Sequence, residues 1–219
     1  MEELSARRSA QMIAEVEAVA LGLFDERGFA DVTVDEIAGA AGISSRTFYR
    51  YFPSKEDILQ VRIERRSDAL RSALAARPDG EPPLLSLRVA LEEVLTNEDL
   101  ERIRLWTNVI VATPSILRGV YGGIQLKSHR VMAEFFATRL DLPVDGLVPS
   151  VLAAATGGVV QAAQTRWYFH GGDLVAMVSE GLRVLELGAG SDAQTWTDTV
   201  RQAEWPSRAA EPPASSTIC

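Results

Sequence analysis

A single cysteine, Cys219, ends this chain of 219 residues, which excludes an intramolecular disulfide and any cysteine-built metal cluster and fits a reducing cytoplasm. Histidine is nearly as scarce. His129 and His170 fall on different predicted helices, and neither has a histidine or cysteine partner four residues away, so a metal site is not expected. Enzyme signatures are missing as well. Gly188–Ser191 (G-A-G-S) has no strand before it and no helix after it, so it reads as a helix stop and linker rather than a phosphate loop. No serine sits in a nucleophile elbow, and no carboxylate pair needs more than a solvated helix face to explain it. The chain is not expected to be an enzyme or to carry a cofactor. Its N-terminus, M-E-E-L-S-A-R-R-S, lacks an apolar run of the kind an export signal needs. Alternating strand patterns and internal repeats are also absent, which leaves an all-α fold of about nine helices.

With 47% hydrophobic and 24% charged residues the chain can bury a real core. One uncharged run, Gly146–Thr165, has the length of a membrane span, but Pro149, three glycines and two glutamines dilute it. We expect instead a helix buried between other helices, with Ala153, Ala154, Gly157 and Gly158 allowing close backbone approach. Further helices are predicted at 54–76, 84–96, 98–112, 115–140 and 173–187, separated by Gly- and Pro-rich breaks. The tail at 190–219 reads as flexible.

The densest signal lies between Thr33 and Leu59. Thr33 and Glu36 form a capping box that starts a helix, and Val34, Ile37, Ala38 and Ala41 share one face of it. Gly42 ends that helix by accepting a left-handed turn, and Ile43 plugs the angle. Ser44 or Ser45 caps a second short helix that Pro53 stops. So short a turn forces the two helices to cross steeply. On the second helix Phe48 and Phe52 point inward, while Ser45, Arg46, Tyr49 and Arg50 point outward, offering hydroxyl, guanidinium and phenol groups to phosphates and base edges. Ser54 with Asp57 caps the next helix, and Lys55 lies at its start, where the helix dipole favours anions rather than lysine. A phosphate held by Lys55 and nearby amides accounts for that placement.

The net charge of −8 argues at first against a nucleic-acid partner. Its distribution argues for one. Residues 1–59 hold six Lys and Arg against eleven Asp and Glu, yet from Ile37 to Lys55 there are three basic residues and no acidic one. Arg7 and Arg8 could add phosphate contacts.

This segment resembles the DNA-binding domain of the TetR family of bacterial transcriptional regulators. The match runs through the capping threonine, the Gly-apolar-Ser turn and T-F-Y-R-Y-F-P-S-K at 47–55. The resemblance implies an N-terminal three-helix helix-turn-helix domain at 1–53, a helical effector-binding and dimerisation domain at 54–189, and a double-stranded DNA operator as partner. It implies DNA contacts from Thr33, Ser45, Arg46, Thr47, Tyr49, Tyr51 and Lys55, to which Ser44 and Arg50 are added from their place on the same surface. Asp35 departs from the pattern: some family members place a base- or phosphate-contacting residue there, and phosphate repels a carboxylate. The family's last two helices pair across a two-fold axis, so homodimerisation is expected through 146–170 and 173–187. Mycofactocin-type members share the R-T-F-Y/F-R-Y-F-P-S-K run and an L-A-A-R-P-x-x-E-P-P loop, and bind hydrophobic effectors, acyl-CoA among them. Candidate effector residues here are Trp106, Ile110, Tyr121, Gln125, His129, Phe136, Gln164, Trp167 and Tyr168. The expected function is a cytoplasmic, ligand-responsive repressor with no membrane partner; the alternative is a dimeric DNA-binding regulator without a small-molecule ligand, its aromatics serving as core.

Overall fold

The computed structural model describes residues 2–188, except for the side chains of residues 2–7 and 118–125. Residues 189–219 lie outside the described residues, and with them the tail predicted at 190–219. Among the described residues every regular element is an α-helix. They are α1 (Glu2–Arg27), α2 (Val34–Ala40), α3 (Ser45–Tyr51), α4 (Glu56–Ala75), α5 (Pro83–Thr96), α6 (Leu100–Ala112), α7 (Pro114–Leu140), α8 (Leu147–His170) and α9 (Leu174–Glu186).

Local chemistry sets most of the boundaries. Gly28 takes φ 86° and its amide donates to Phe24 O at 2.9 Å, ending α1 as a left-handed residue without a Cβ can. Helix α6 starts at Leu100 rather than near Glu98 because Asp99 accepts from the amides of Glu101 and Arg102. Asp173 caps α9 in the same way through Ala176 N.

Helices do not pack in chain order. One compact unit comprises the described residues up to Ala69 together with Glu98–Ser128; the other comprises Leu70–Asn97 and the described residues from His129 onward. The core of the first unit gathers Leu21, Phe24, Ile37, Phe48, Phe52, Ile58 and Leu59 with Val109 and Ile110. Helix α6 packs on α1 there, although some seventy residues separate them in sequence.

In the second unit α9 packs on both α5 and α8 and buries Leu174, Val178 and Leu182. Arg139 fastens the loop between α4 and α5 by donating to the carbonyls of Arg77, Pro78 and Asp79. At Gly181 α9 approaches α8 closely: a Cβ there would stand 2.5 Å from Val159 Cγ1, on a branched side chain with little freedom to move. Gly181→Ala is therefore expected to destabilise the protein by about 1–3 kcal/mol through overpacking. A thermal midpoint equal to wild type would contradict this packing.

The expectation for α8 needs correction. It is not enclosed by other helices of its own chain. Pro149, Ala153, Thr156, Ala163 and Trp167 are buried, but Leu147, Val148, Val151 and Phe169 are exposed, as are Ala154 and Gly158. Among the described residues α8 is the one helix long and apolar enough to cross a membrane by length and composition. An uncharged run shows that a helix face avoids water without showing what covers it.

Candidate nucleic-acid interface

Two helices of seven residues each form the candidate surface, and side-chain caps hold both. Thr33 Oγ1 accepts from Glu36 N, while Glu36 Oε2 accepts from Thr33 N at 2.8 Å, completing the capping box. Arg27 from the end of α1 adds a 2.7 Å salt bridge to Glu36. Hydrogen bonds from Thr33 N, the Arg27 guanidinium and the Thr33 hydroxyl hold the Glu36 carboxyl down from the ordinary 4.5 to about 2. A carboxylate depressed in the folded state contributes stability that is present above its ordinary range and disappears as pH falls through the folded value. The stability difference between wild type and Glu36→Gln should accordingly shrink as pH drops from 4.5 towards 2. A difference independent of pH in that window would contradict the capping account.

The turn follows the expected geometry. Gly42 takes φ 70°, Ile43 N donates to Ala38 O at 2.9 Å, and half-buried Ile43 packs against the core. Of the two serines Ser44 is the cap: its Oγ accepts from Thr47 N and lies 2.9 Å from Thr47 Oγ1. Phe48 is 0% exposed, its ring 5.1 Å from that of Phe52. Facing the other way, Arg46, Tyr49 and Arg50 are exposed, with Ser45, Thr47 and Tyr51 half-buried beside them.

Three polar arrangements at this surface could not be read from local sequence. First, Ser45 Oγ donates to Asp35 Oδ1 across the turn. Second, Arg50 donates to the Tyr51 phenol oxygen at 3.1 Å, and the phenol also shares a hydrogen bond with the Ser9 hydroxyl; both lower its pKa, the Ser9 bond being the larger cause. Third, the Lys55 ammonium turns inward. Its Nζ donates to the carbonyls of Phe29 (2.6 Å), Val32 (2.9 Å) and Ala30 (3.4 Å) and lies 4.4 Å from the Phe29 ring centroid. An ammonium has three donors, so contact with a phosphate oxygen requires exchange of one of these carbonyls. Ser54 behaves as expected, with its amide and hydroxyl both donating to Asp57 Oδ2. Arg8 is exposed; the Arg7 side chain lies outside those described, so its expected contact does too.

The candidate effector residues divide between the two units. In the first, Ile110 is core and Trp106 donates from Nε1 to Leu59 O at 3.1 Å, with Arg62 over its ring. In the second, Phe136 and Trp167 are buried, Gln164 is half-buried, a ring nitrogen of His129 lies 3.1 Å from Ser150 O, and Tyr168 stands edge-on to Phe169. The side chains of Tyr121 and Gln125 lie outside those described. An open groove of about 560 Å³ runs along α8, lined by Gly158, Gln161, Ala162, Thr165, Arg166, Phe169 and His170. None of the candidates whose side chains are described lines it.

Known proteins with this arrangement are consistent in kind. Residues 18–61 match the model of the bacterial regulatory proteins of the tetR family, and residues 81–190 match the MftR C-terminal domain. A relative in Mycobacterium tuberculosis, MftR, named as a mycofactocin biosynthesis transcriptional regulator, is 32% identical over 168 residues, covering 74% of this chain and 82% of its own. Among solved structures, a TetR-family transcriptional regulator from Syntrophomonas wolfei superposes with a TM-score of 0.64 at 16% identity, covering 84% of this chain and 99% of its own. FadR of Thermus thermophilus, a TetR-family repressor solved in complex with lauroyl-CoA, superposes at 0.50 with 22% identity, covering 80% and 93%. With a capped helix-turn-helix at one end and an MftR-type helical domain behind it, this chain belongs to the TetR family of transcriptional regulators and is a DNA-binding regulator, not an enzyme.

Proposed function

We propose that this regulator is a cytoplasmic repressor that binds a palindromic operator as a homodimer and is released by a hydrophobic or amphipathic small molecule of acyl-CoA type. The observation that carries the DNA half is the division of α3: Phe48 lies wholly in the core, while Arg46, Tyr49 and Arg50 are exposed on a surface without acidic residues from Ile37 to Lys55. Thr33, Ser44, Ser45, Arg46, Thr47, Tyr49, Arg50, Tyr51 and Lys55 supply the contacts, some to base edges and more to phosphates. Residues 1–53 read DNA; residues 54–189 take the effector and the partner chain.

Two copies meet through the segments 146–170 and 173–187. In support, Leu147, Val151, Ala154, Gly158, Ala162, Thr165 and Phe169 recur at steps of three or four residues along α8, and all are exposed in the single chain. Large apolar side chains at its ends and small residues at its middle suit two helices crossing closely. A two-fold axis there would present one α3 to each half-site, about 34–36 Å apart.

For release, an effector that prefers a tilted α4 would change the spacing of the two α3 helices, because α4 is covalently continuous with the DNA-reading unit. Within that unit Arg65 of α4 pairs with buried Glu17 of α1, so α4 and α1 would move together. Only a ligand with higher affinity for the tilted state shifts the balance. FadR with lauroyl-CoA, of the same fold, supports the ligand class. A second reading, a dimeric regulator without a ligand, is favoured by the burial of Ile110, Phe136 and Trp167. Thermal shift against acyl-CoA thioesters and free fatty acids, with operator release as the second readout, decides between them: a ligand at 100 times its Kd stabilises by about 2.7 kcal/mol.

Contact roles separate by salt. Arg46→Ala is expected to cost about 1–3 kcal/mol of operator affinity and relax one base position, while Lys55→Ala weakens all sequences alike and lowers the salt slope by about one unit. A Lys55→Ala variant with an unchanged slope and a lowered thermal midpoint would mean that Lys55 only clamps Phe29 and Val32.

A further inference from the structure

Asp35 stands in the first turn of α2 and Ser45 opens α3, ten residues later. The turn between the helices brings them together, and Ser45 Oγ donates to Asp35 Oδ1 at 2.5 Å. Asp35 is exposed and Ser45 half-buried, beside the exposed Arg46.

The direction of that bond fixes what the pair can offer to a partner. A hydroxyl has one proton and two lone pairs, and a carboxylate has lone pairs alone. Once the Ser45 proton is committed to Asp35, both oxygens present only acceptors outward. The neighbouring Arg46 guanidinium presents only donors. Opposite chemical signs therefore lie side by side on one surface.

Base edges in the major groove differ in the same terms. Guanine shows two acceptors, thymine an acceptor and a methyl group, adenine an acceptor beside a donor, and cytosine its N4 amino donor. An acceptor-only pair meets repulsion from guanine and thymine and from one of the two groups of adenine. Cytosine alone carries a donor with no acceptor on its own major-groove edge; the O6 of the paired guanine lies on the far side of that donor, so the acceptor pair must approach from the cytosine side. Phosphate is excluded too, since its oxygens are anionic acceptors.

We propose, resting on the assignment of α3 as the DNA-reading helix, that Asp35 held by Ser45 is a specificity-determining residue that accepts a hydrogen bond from the N4 amino group of one cytosine in each half-site. A bond that only braced α2 against α3 would give Asp35 no preference among bases, and the two roles differ measurably.

The test is selection of bound duplexes from a random library by full-length wild type, Asp35→Ala and Asp35→Asn, with the thermal midpoint of each. Wild type should enrich a consensus with a fixed cytosine in each half-site. Asp35→Ala should lose about 5- to 150-fold of discrimination at that position and keep the rest of the consensus. Asp35→Asn, which can still accept from Ser45 and adds an amide donor, should move the same position towards adenine, whose N6 and N7 match an asparagine side chain. If both variants keep every consensus base and weaken all sequences equally, the pair is a brace and the proposal fails. If wild type enriches nothing, the assignment of α3 fails and takes the proposal with it.

Discussion

Phe48→Ala should cost about 3–5 kcal/mol and abolish operator binding, although the side chain is not expected to touch DNA. Phe48 is 0% exposed and packs against Phe52, among side chains contributed by α1, α2 and α4. Truncation removes the ring and leaves a void that seven-residue α3 cannot close without shifting its exposed face. Because a domain holds only about 5–15 kcal/mol in total, a loss of this size removes a fifth or more of the stability available. Tyr49→Ala supplies the contrast. Its side chain is 55% exposed, so the thermal midpoint should barely change while affinity for DNA falls. The account of α3 would be contradicted if Phe48→Ala melted and bound as wild type does, or if Tyr49→Ala changed stability and left binding intact.

Val151→Arg carries the second large effect. Val151 is 53% exposed in the single chain, one step from the N-terminal end of a stripe running from Leu147 to Phe169. A guanidinium there costs the isolated chain little, because it points to water. Across a two-fold axis it would meet its own copy, placing like charges in an apolar seam. Helix content should stay the same, and the mass in solution should fall to that of one 23.8 kDa chain. Operator affinity should fall on the order of 100-fold or more, since each half-site would then be bound without the advantage of linkage to the other. A dimeric mass with undiminished affinity would mean that the exposed face of α8 is not the seam.

The parts of this architecture that were legible in the sequence are those written at short range. Thr33 with Glu36 and Gly42 after Ala41 specify a cap and a turn through partners within a few residues, and each stands where the pattern puts it; the next cap was legible as Ser44 or Ser45, and it is Ser44, through Thr47 N. The inward and outward sides of α3 follow from the four-residue spacing of Phe48 and Phe52. Contacts between distant residues were not legible. The bond from Ser45 to Asp35 depends on the angle of the turn, and the inward ammonium of Lys55 on carbonyls 23 to 26 residues away. Read by type alone, Asp35 looked like a liability and Lys55 like a free cation. Helix α8 illustrates a different gap: apolar composition predicts that a face will be covered, but a second copy and the chain's own helices write the same pattern. Aromatics such as Trp106 and Phe136 are ambiguous for a similar reason, because packing and lining a pocket call for the same side chains.

The most direct test of the central claim is to select bound duplexes from a random library with the full-length protein and then determine the mass of the complex on the enriched duplex. The account predicts two inverted half-sites with centres about 34–36 Å apart and chains bound in pairs. An unrepeated site occupied by a single chain, or no enrichment over background, would contradict it.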